Sequence, residues 1–313
     1  GLILKLNSIP AAATVIFTYR FTQTRMSMAS QQMQAFLDAK RDAPPKKQVV
    51  PTEETRRELD NYMSDQPAAD GFNFENVIIG DCPARRFSPE TGTADSAILY
   101  LHGGGYYTGS SKSHHALMSH LCVASGAPVI GLDYRLAPEH PYPAALNDAV
   151  AAYWALTEDI SASRIMIAGD SAGGGLTMAC LHHLRDTSKS LPGCAALLSA
   201  NVDLSATGAF GGWNLESQNY YAGSYPRDHP GISPVFGNMQ GLPPVLVQFA
   251  SDEAFVDEVE RLVEKLKAAN VDVTVQSFQD AFHAFQMFTM IPESMDAIQQ
   301  IADFFQSRVR ETS

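Results

Sequence analysis

A few short groups of residues hold the chemistry this chain could perform. Gly169-Asp170-Ser171-Ala172-Gly173 is a G-x-S-x-G pattern between the apolar run 164–168 and a helix-period stretch that begins at Ala172. A serine in so tight a strand-to-helix turn is lifted above the sheet. Glycines flank it because larger side chains would strike the neighbouring strand and helix. The helix start aims free N–H groups and the positive end of its dipole at the same spot, which favours developing negative charge. Ser171 therefore reads as a nucleophile rather than as a mere turn residue. His102-Gly103-Gly104-Gly105 follows the apolar run 96–101. Successive glycines let backbone N–H groups approach a ligand oxygen unobstructed, as a tetrahedral oxyanion requires. Gly103 and Gly104 are expected as donors, with the Ala172 N–H as the third. His102 is expected to order this loop through hydrogen bonds.

A nucleophilic serine needs a base, and the base needs an acid that orients it. Nine histidines are available. In the chain order Ser, acid, His, the base follows a late strand, and His283 stands just beyond the run 271–278. His114, His115, His182 and His183 fall on helix-period stretches and read as helix-surface residues. The acid should follow the run 244–250, where Asp252 and Glu253 are adjacent. Neighbouring residues at a strand end point in different directions, so only one of the two can face the base.

The elements that must position these groups alternate. Short apolar runs at 96–101, 127–133, 164–169, 194–200, 244–250 and 271–278 are separated by helix-period stretches near 112–125, 143–157, 172–186 and 254–269, with a last helix near 293–310. Continuous apolar strands alternating with helices make a mostly parallel sheet covered on both faces, and in such sheets sites form at the carboxyl ends of the strands. Upstream, 31–40 predicts a helix with Met33, Phe36 and Leu37 on one face, ended by Ala43-Pro44-Pro45. Thr52 is the expected N-cap of a second helix, without a full capping box. Strands begin after Asp70-Gly71.

The chain has 313 residues, 45% of them hydrophobic and 18% charged, enough for one large α/β domain with a modest appendage. Its formal charge of −12 gives no attraction to phosphate backbones or anionic bilayers, so neither nucleic acid nor a membrane is expected as a partner. Cys82, Cys122, Cys180 and Cys194 form no C-x-x-C pair and have no histidine at ligand spacing. They read as free thiols of a reducing, cytoplasmic compartment. The uncharged stretch 6–19 is too short to span a bilayer, which takes about 20 apolar residues, and is expected to be a helix that packs on the protein or a partner, in preference to a processed or membrane-touching segment.

Taken together, HGGG at 102–105, DYRLAPEHPYPAAL at 133–146, GDSAGGG at 169–175 and the stretch from Ser233-Pro234 to Gly241-Leu242-Pro243-Pro244 resemble the hormone-sensitive-lipase-like, or family IV, carboxylesterases. The resemblance covers about residues 72 to 310. It implies the α/β-hydrolase fold, with residues 1–70 as an N-terminal extension and helical cap and 71–313 as the catalytic domain. It also implies ester hydrolysis through an acyl-enzyme, with no metal or organic cofactor. Asp133, Arg135 and Glu139 would form a buried ionic network beside the site. The family's acid precedes its base by 30 residues and a second acidic residue by 4. Glu253 fits both spacings, to His283 and to Asp257, while Asp252 misses each by one. Glu253 is selected as the acid. Asp252 is left to face the helix start, and Asp257 to support the loop or the base.

The sequence departs from the family's Asp-Pro-Leu-x-Asp pattern here, and the segment between Asp203 and Tyr221 is short for the family. Tyr106, Tyr107, Trp213 and Phe285 are expected to wall the substrate site, which would suit short to medium acyl groups. The partner expected is a small-molecule ester, with a second copy of the chain as a further candidate. Lactone, amide or carbamate hydrolysis and ligand binding by a receptor-like relative are the competing readings; retention of His283 and an acid argues against the last.

Overall fold

The computed structural model describes residues 29–42, 52–92, 94–187, 189–206 and 215–310. Eight strands form one sheet: β1 (Phe72–Ile79), β2 (Cys82–Pro89), β3 (Ala97–Leu101), β4 (Val129–Leu132), β5 (Ile165–Asp170), β6 (Cys194–Leu198), β7 (Val245–Ala250) and β8 (Val273–Phe278). Their spatial order is β1-β2-β4-β3-β5-β6-β7-β8. The pairs from β4 through β8 are parallel, whereas β1 and β2 attach as an antiparallel edge. That edge is a hairpin closed by Gly80-Asp81, both at positive φ, the geometry of a two-residue turn matched to strand twist.

Parallel strands covered on both faces are apolar throughout, and alternate residues feed two separate cores. Along β3, Ala97, Leu99 and Leu101 enter one core, and Ile98 and Tyr100 the other. The first core is completed by α4 (Ala144–Thr157), α5 (Ala172–Asp186) and α7 (Val256–Ala268). The second is completed by α3 (His115–Ser125) and α8 (Pro292–Arg310). A short α6 (Leu215–Ala222) lies between β6 and β7. The four cysteines are free and buried, and among the described residues no helix is long and apolar enough to cross a membrane.

Two N-terminal helices lie against the loops that follow the strands. α1 (Gln31–Asp42) buries Met33 completely, and Phe36 stacks on Phe282 with ring centroids 5.2 Å apart. Its start is fastened to α8: the buried Glu293 accepts from Ser30 N (2.6 Å) and Ser30 Oγ (2.8 Å). α2 (Glu53–Ser64) starts at Thr52, and here the structure differs from the sequence reading. The Thr55 hydroxyl accepts from Thr52 N (2.9 Å) while Thr55 N donates to Thr52 Oγ1 (3.2 Å), so two threonines do close a reciprocal box. Arg56 then donates to Tyr107 O and Ala137 O, each at 2.8 Å, and pairs with Glu139. The stretch 6–19 lies outside the described residues.

Glu293→Ala is expected to unfasten α1. The lost acceptor leaves the Ser30 donors unpaired, worth about 1–3 kcal/mol, and residues 29–42 should become the first site of cleavage in limited proteolysis. Urea unfolding together with a proteolysis map checks both effects.

Candidate active site

β5 ends in Asp170, and the chain turns at Ser171 with φ 49° and ψ −117°, a conformation rare for a side chain other than glycine. Gly173 is required by close approach: a Cβ there would lie 1.9 Å from Leu101 O. The turn is gripped from β6. Ser171 N donates to Leu198 O (2.8 Å), and Asn201 N donates to Ser171 O (2.8 Å). Ser171 Oγ lies 2.9 Å from His283 Nε2. On the other side of the imidazole, Nδ1 lies 3.3 Å from Glu253 Oε2, whose side chain is fully buried. With Nδ1–H donating to the carboxylate, Nε2 is left to accept the Ser171 hydroxyl proton. Phe255 presses edge-on against the imidazole, ring centroids 5.1 Å apart.

Asp252 is exposed, and the carboxylate in contact with His283 is that of Glu253. Nor does it cap the following helix: α7 begins at Val256, Phe255 holds the cap position, and no side chain caps it. Asp257 is likewise exposed, in the first turn of α7.

The glycine loop corrects one sequence expectation. Gly103 N–H donates to Asp170 Oδ1 at 2.9 Å, so it is not available to a substrate oxygen. Gly104 and Gly105, at φ 118° and 64°, have N–H groups with no acceptor among the described residues. Ala172 N–H heads α5, where helical N–H groups lack partners within the helix. The donor set available is therefore Gly104, Gly105 and Ala172, one residue further along the loop.

A buried polar cluster lies behind these donors. Asp170 accepts from Tyr100 OH (2.9 Å) as well as from Gly103 N, and pairs with His114 Nε2 (3.0 Å). That nitrogen also lies 3.3 Å from Gly103 N, but it cannot accept there while donating to the carboxylate, and the shorter contact makes it the donor. Burial alone would raise the Asp170 carboxyl; the facing His114, the hydrogen bonds from His114 and Tyr100, and His102 outweigh it and hold it below its ordinary range. His102 stacks on Tyr134 and meets Gly103 O through Nδ1 at 2.7 Å. Burial, with His114 nearby, pushes it down to about 4, so it is neutral at pH 7 and orders the loop. His114 and His182 are thus not surface residues: both are buried, and only His183 of the helix-borne histidines is exposed.

The aromatic wall is also corrected. Tyr106 is buried and stacked on Tyr221, centroids 3.6 Å apart, and Phe285 is completely enclosed in the core beneath α1. Both are packing residues. Tyr107 is buried with its edge toward Tyr220. Trp213 lies outside the described residues. The ionic network expected at 133–139 is three separate links: Asp133 takes the Ser111 N–H and hydroxyl, Arg135 pairs with Asp148, and Glu139 pairs with Arg56. Arg135 and Glu139 are exposed.

Residues 98–287 match the family model of the α/β-hydrolase fold. A crystal structure of an esterase from the bacterial hormone-sensitive lipase family superimposes with a TM-score of 0.83 at 35% identity, covering 90% of this chain and 100% of that one. The chain belongs to the hormone-sensitive-lipase-like α/β-hydrolases. An acetyl-hydrolase of Streptomyces hygroscopicus is 37% identical over 250 residues, 75% of this chain and 83% of that protein. An esterase of Acinetobacter venetianus is 34% identical over 227 residues, 68% of this chain and 75% of its own length.

A depressed carboxylate adds stability at neutral pH that is lost as the pH falls through its folded value. Asp170→Asn is therefore expected to be less stable than wild type at pH 7, with the gap closing below about pH 4. Urea unfolding at the two pH values measures it; a gap that does not vary with pH contradicts the assigned charge.

Proposed function

We propose that the protein hydrolyses carboxylic esters of short to medium acyl chains through a serine-bound acyl intermediate. The observation that carries this reading is the continuous line of contacts Glu253–His283–Ser171, accompanied by a glycine loop whose Gly104 and Gly105 N–H groups have no acceptor among the described residues. Ser171 Oγ attacks the ester carbonyl as His283 Nε2 takes its proton. The carbonyl oxygen becomes an oxyanion held by the N–H groups of Gly104, Gly105 and Ala172. Glu253 holds the imidazole in the tautomer with its proton on Nδ1 and stabilises the imidazolium that forms. Collapse expels the alcohol, which takes the proton from Nε2. Water, activated by the same nitrogen, then releases the acid and restores Ser171.

The short acyl preference is supported by the name of the Streptomyces relative, an acetyl-hydrolase, and by the aromatic rings that fill rather than line the space near the glycines. Helices α1 and α2 act as the cap, since they rest on the loops bearing Phe282 and Tyr107. The free, buried thiols support a cytoplasmic location.

Ser171→Ala is expected to keep its fold and lose about six orders of magnitude in kcat on an aryl ester. Glu253→Gln should lose about four orders through the wrong imidazole tautomer, whereas Asp252→Asn, exposed and unengaged, should stay near wild type. A chain-length series of p-nitrophenyl esters, run on all three variants and wild type, tests the acid assignment and the acyl preference together. Activity retained by Ser171→Ala would overturn the reading.

A further inference from the structure

Ser199 is the first residue past β6 and is completely buried. Its backbone is left-handed, φ 46°, an uncommon state for serine that must be held by its surroundings. Both sides hold it. Its N–H donates to Gln248 O on β7 (2.7 Å), and the carbonyl just before it, Leu198 O, accepts the N–H of Ser171 (2.8 Å). Two residues later Asn201 N donates to Ser171 O, so the segment 198–201 grips both main-chain polar groups of the nucleophile.

The left-handed turn directs the Ser199 hydroxyl to the other half of the site. Ser199 Oγ accepts the N–H of Ala284 at 3.1 Å. Ala284 directly follows His283, and it too is left-handed, φ 55°. Its N–H is buried and needs an acceptor, because an unpaired main-chain donor in the interior is costly. Further ties of the base loop lie beyond it: Phe285 O accepts from Ser294 Oγ at 2.7 Å, and Gln286 Nε2 reaches Gln248 Oε1 at 3.3 Å. Those ties act two and three residues past the base, whereas the Ser199 bond acts on the peptide that leaves His283.

We propose that Ser199 is a positioning residue for the base: its hydroxyl ties the main chain of His283 to the segment that holds Ser171, and so sets the distance between Oγ and Nε2. The proposal rests on the esterase reading above. It assigns Ser199 no contact with substrate. A displaced imidazole slows proton transfer without weakening ester binding, and a misplacement of about 1 Å can cost on the order of a hundredfold in rate.

The test compares Ser199→Ala with Ser199→Gly. Both lack the hydroxyl, but glycine accepts the left-handed backbone without strain. Steady-state kinetics on p-nitrophenyl butyrate, circular dichroism and the rate of Ser171 labelling by an organophosphonate are measured on each. Expected is a fall in kcat of about ten- to a hundredfold in both variants, with KM within about twofold and labelling slowed in proportion. A residue that merely braces the fold would give another pattern: glycine would restore kcat, or only the melting temperature would move. Either of those, or wild-type kcat in a folded Ser199→Ala protein, overturns the proposal. Should Ser199→Ala not fold, the glycine variant decides alone. A wild-type protein inert to both ester and phosphonate would overturn the triad reading itself, and the proposal with it.

Discussion

The contact between Ser171 Oγ and His283 Nε2 joins residues 112 positions apart, and the architecture can be read as the means of holding it at 2.9 Å. Ser171 leaves the end of β5 and His283 follows the end of β8, with β6 and β7 between them in the sheet. Because these four strands are parallel, their carboxyl ends lie along one edge, and loops leaving them converge without long connections. β7 sends out Glu253, and β6 sends out the segment that hydrogen-bonds the nucleophile on one side and the residue after the base on the other.

That convergence has a conformational cost. Ser171, Ser199 and Ala284 all have positive φ without being glycine, and each such position costs on the order of 1–3 kcal/mol. The surrounding strands, buried on both faces, are what over-determine these turns. Asp170 shows the same economy in a polar form. One buried carboxylate satisfies Tyr100, Gly103 and His114, and by taking the first glycine N–H it fixes where the next two point.

Much of this was legible in the sequence, for physical reasons. Strands covered on both faces leave uninterrupted apolar runs, so β3 through β8 stand out. The edge hairpin β1–β2 leaves no such run, because β1 is largely exposed and β2 buries only Cys82, Ala84 and Phe87. A strand-turn-helix with G-x-S-x-G fixes its own chemistry locally, which is why Ser171 could be named at once. The choice among Gly103, Gly104 and Gly105 could not be made locally, because it depends on a carboxylate 67 residues away. Likewise residue type does not say whether an aromatic lines a site or fills a core. Tyr106 and Phe285 do the latter only because Tyr221 and α1 cover them. His114 read as a surface residue because its partner Asp170 lies at the end of β5, remote in sequence from the start of α3.

Transfer of the acyl group through Ser171 between the two half-reactions is open to direct observation. Wild-type protein is mixed with p-nitrophenyl butyrate, quenched in acid within milliseconds, digested and weighed by mass spectrometry. Expected is a butyryl mass increment on the peptide containing Ser171, appearing with a burst of p-nitrophenol and disappearing as substrate is exhausted. Steady hydrolysis with the increment on another residue would contradict transfer through Ser171.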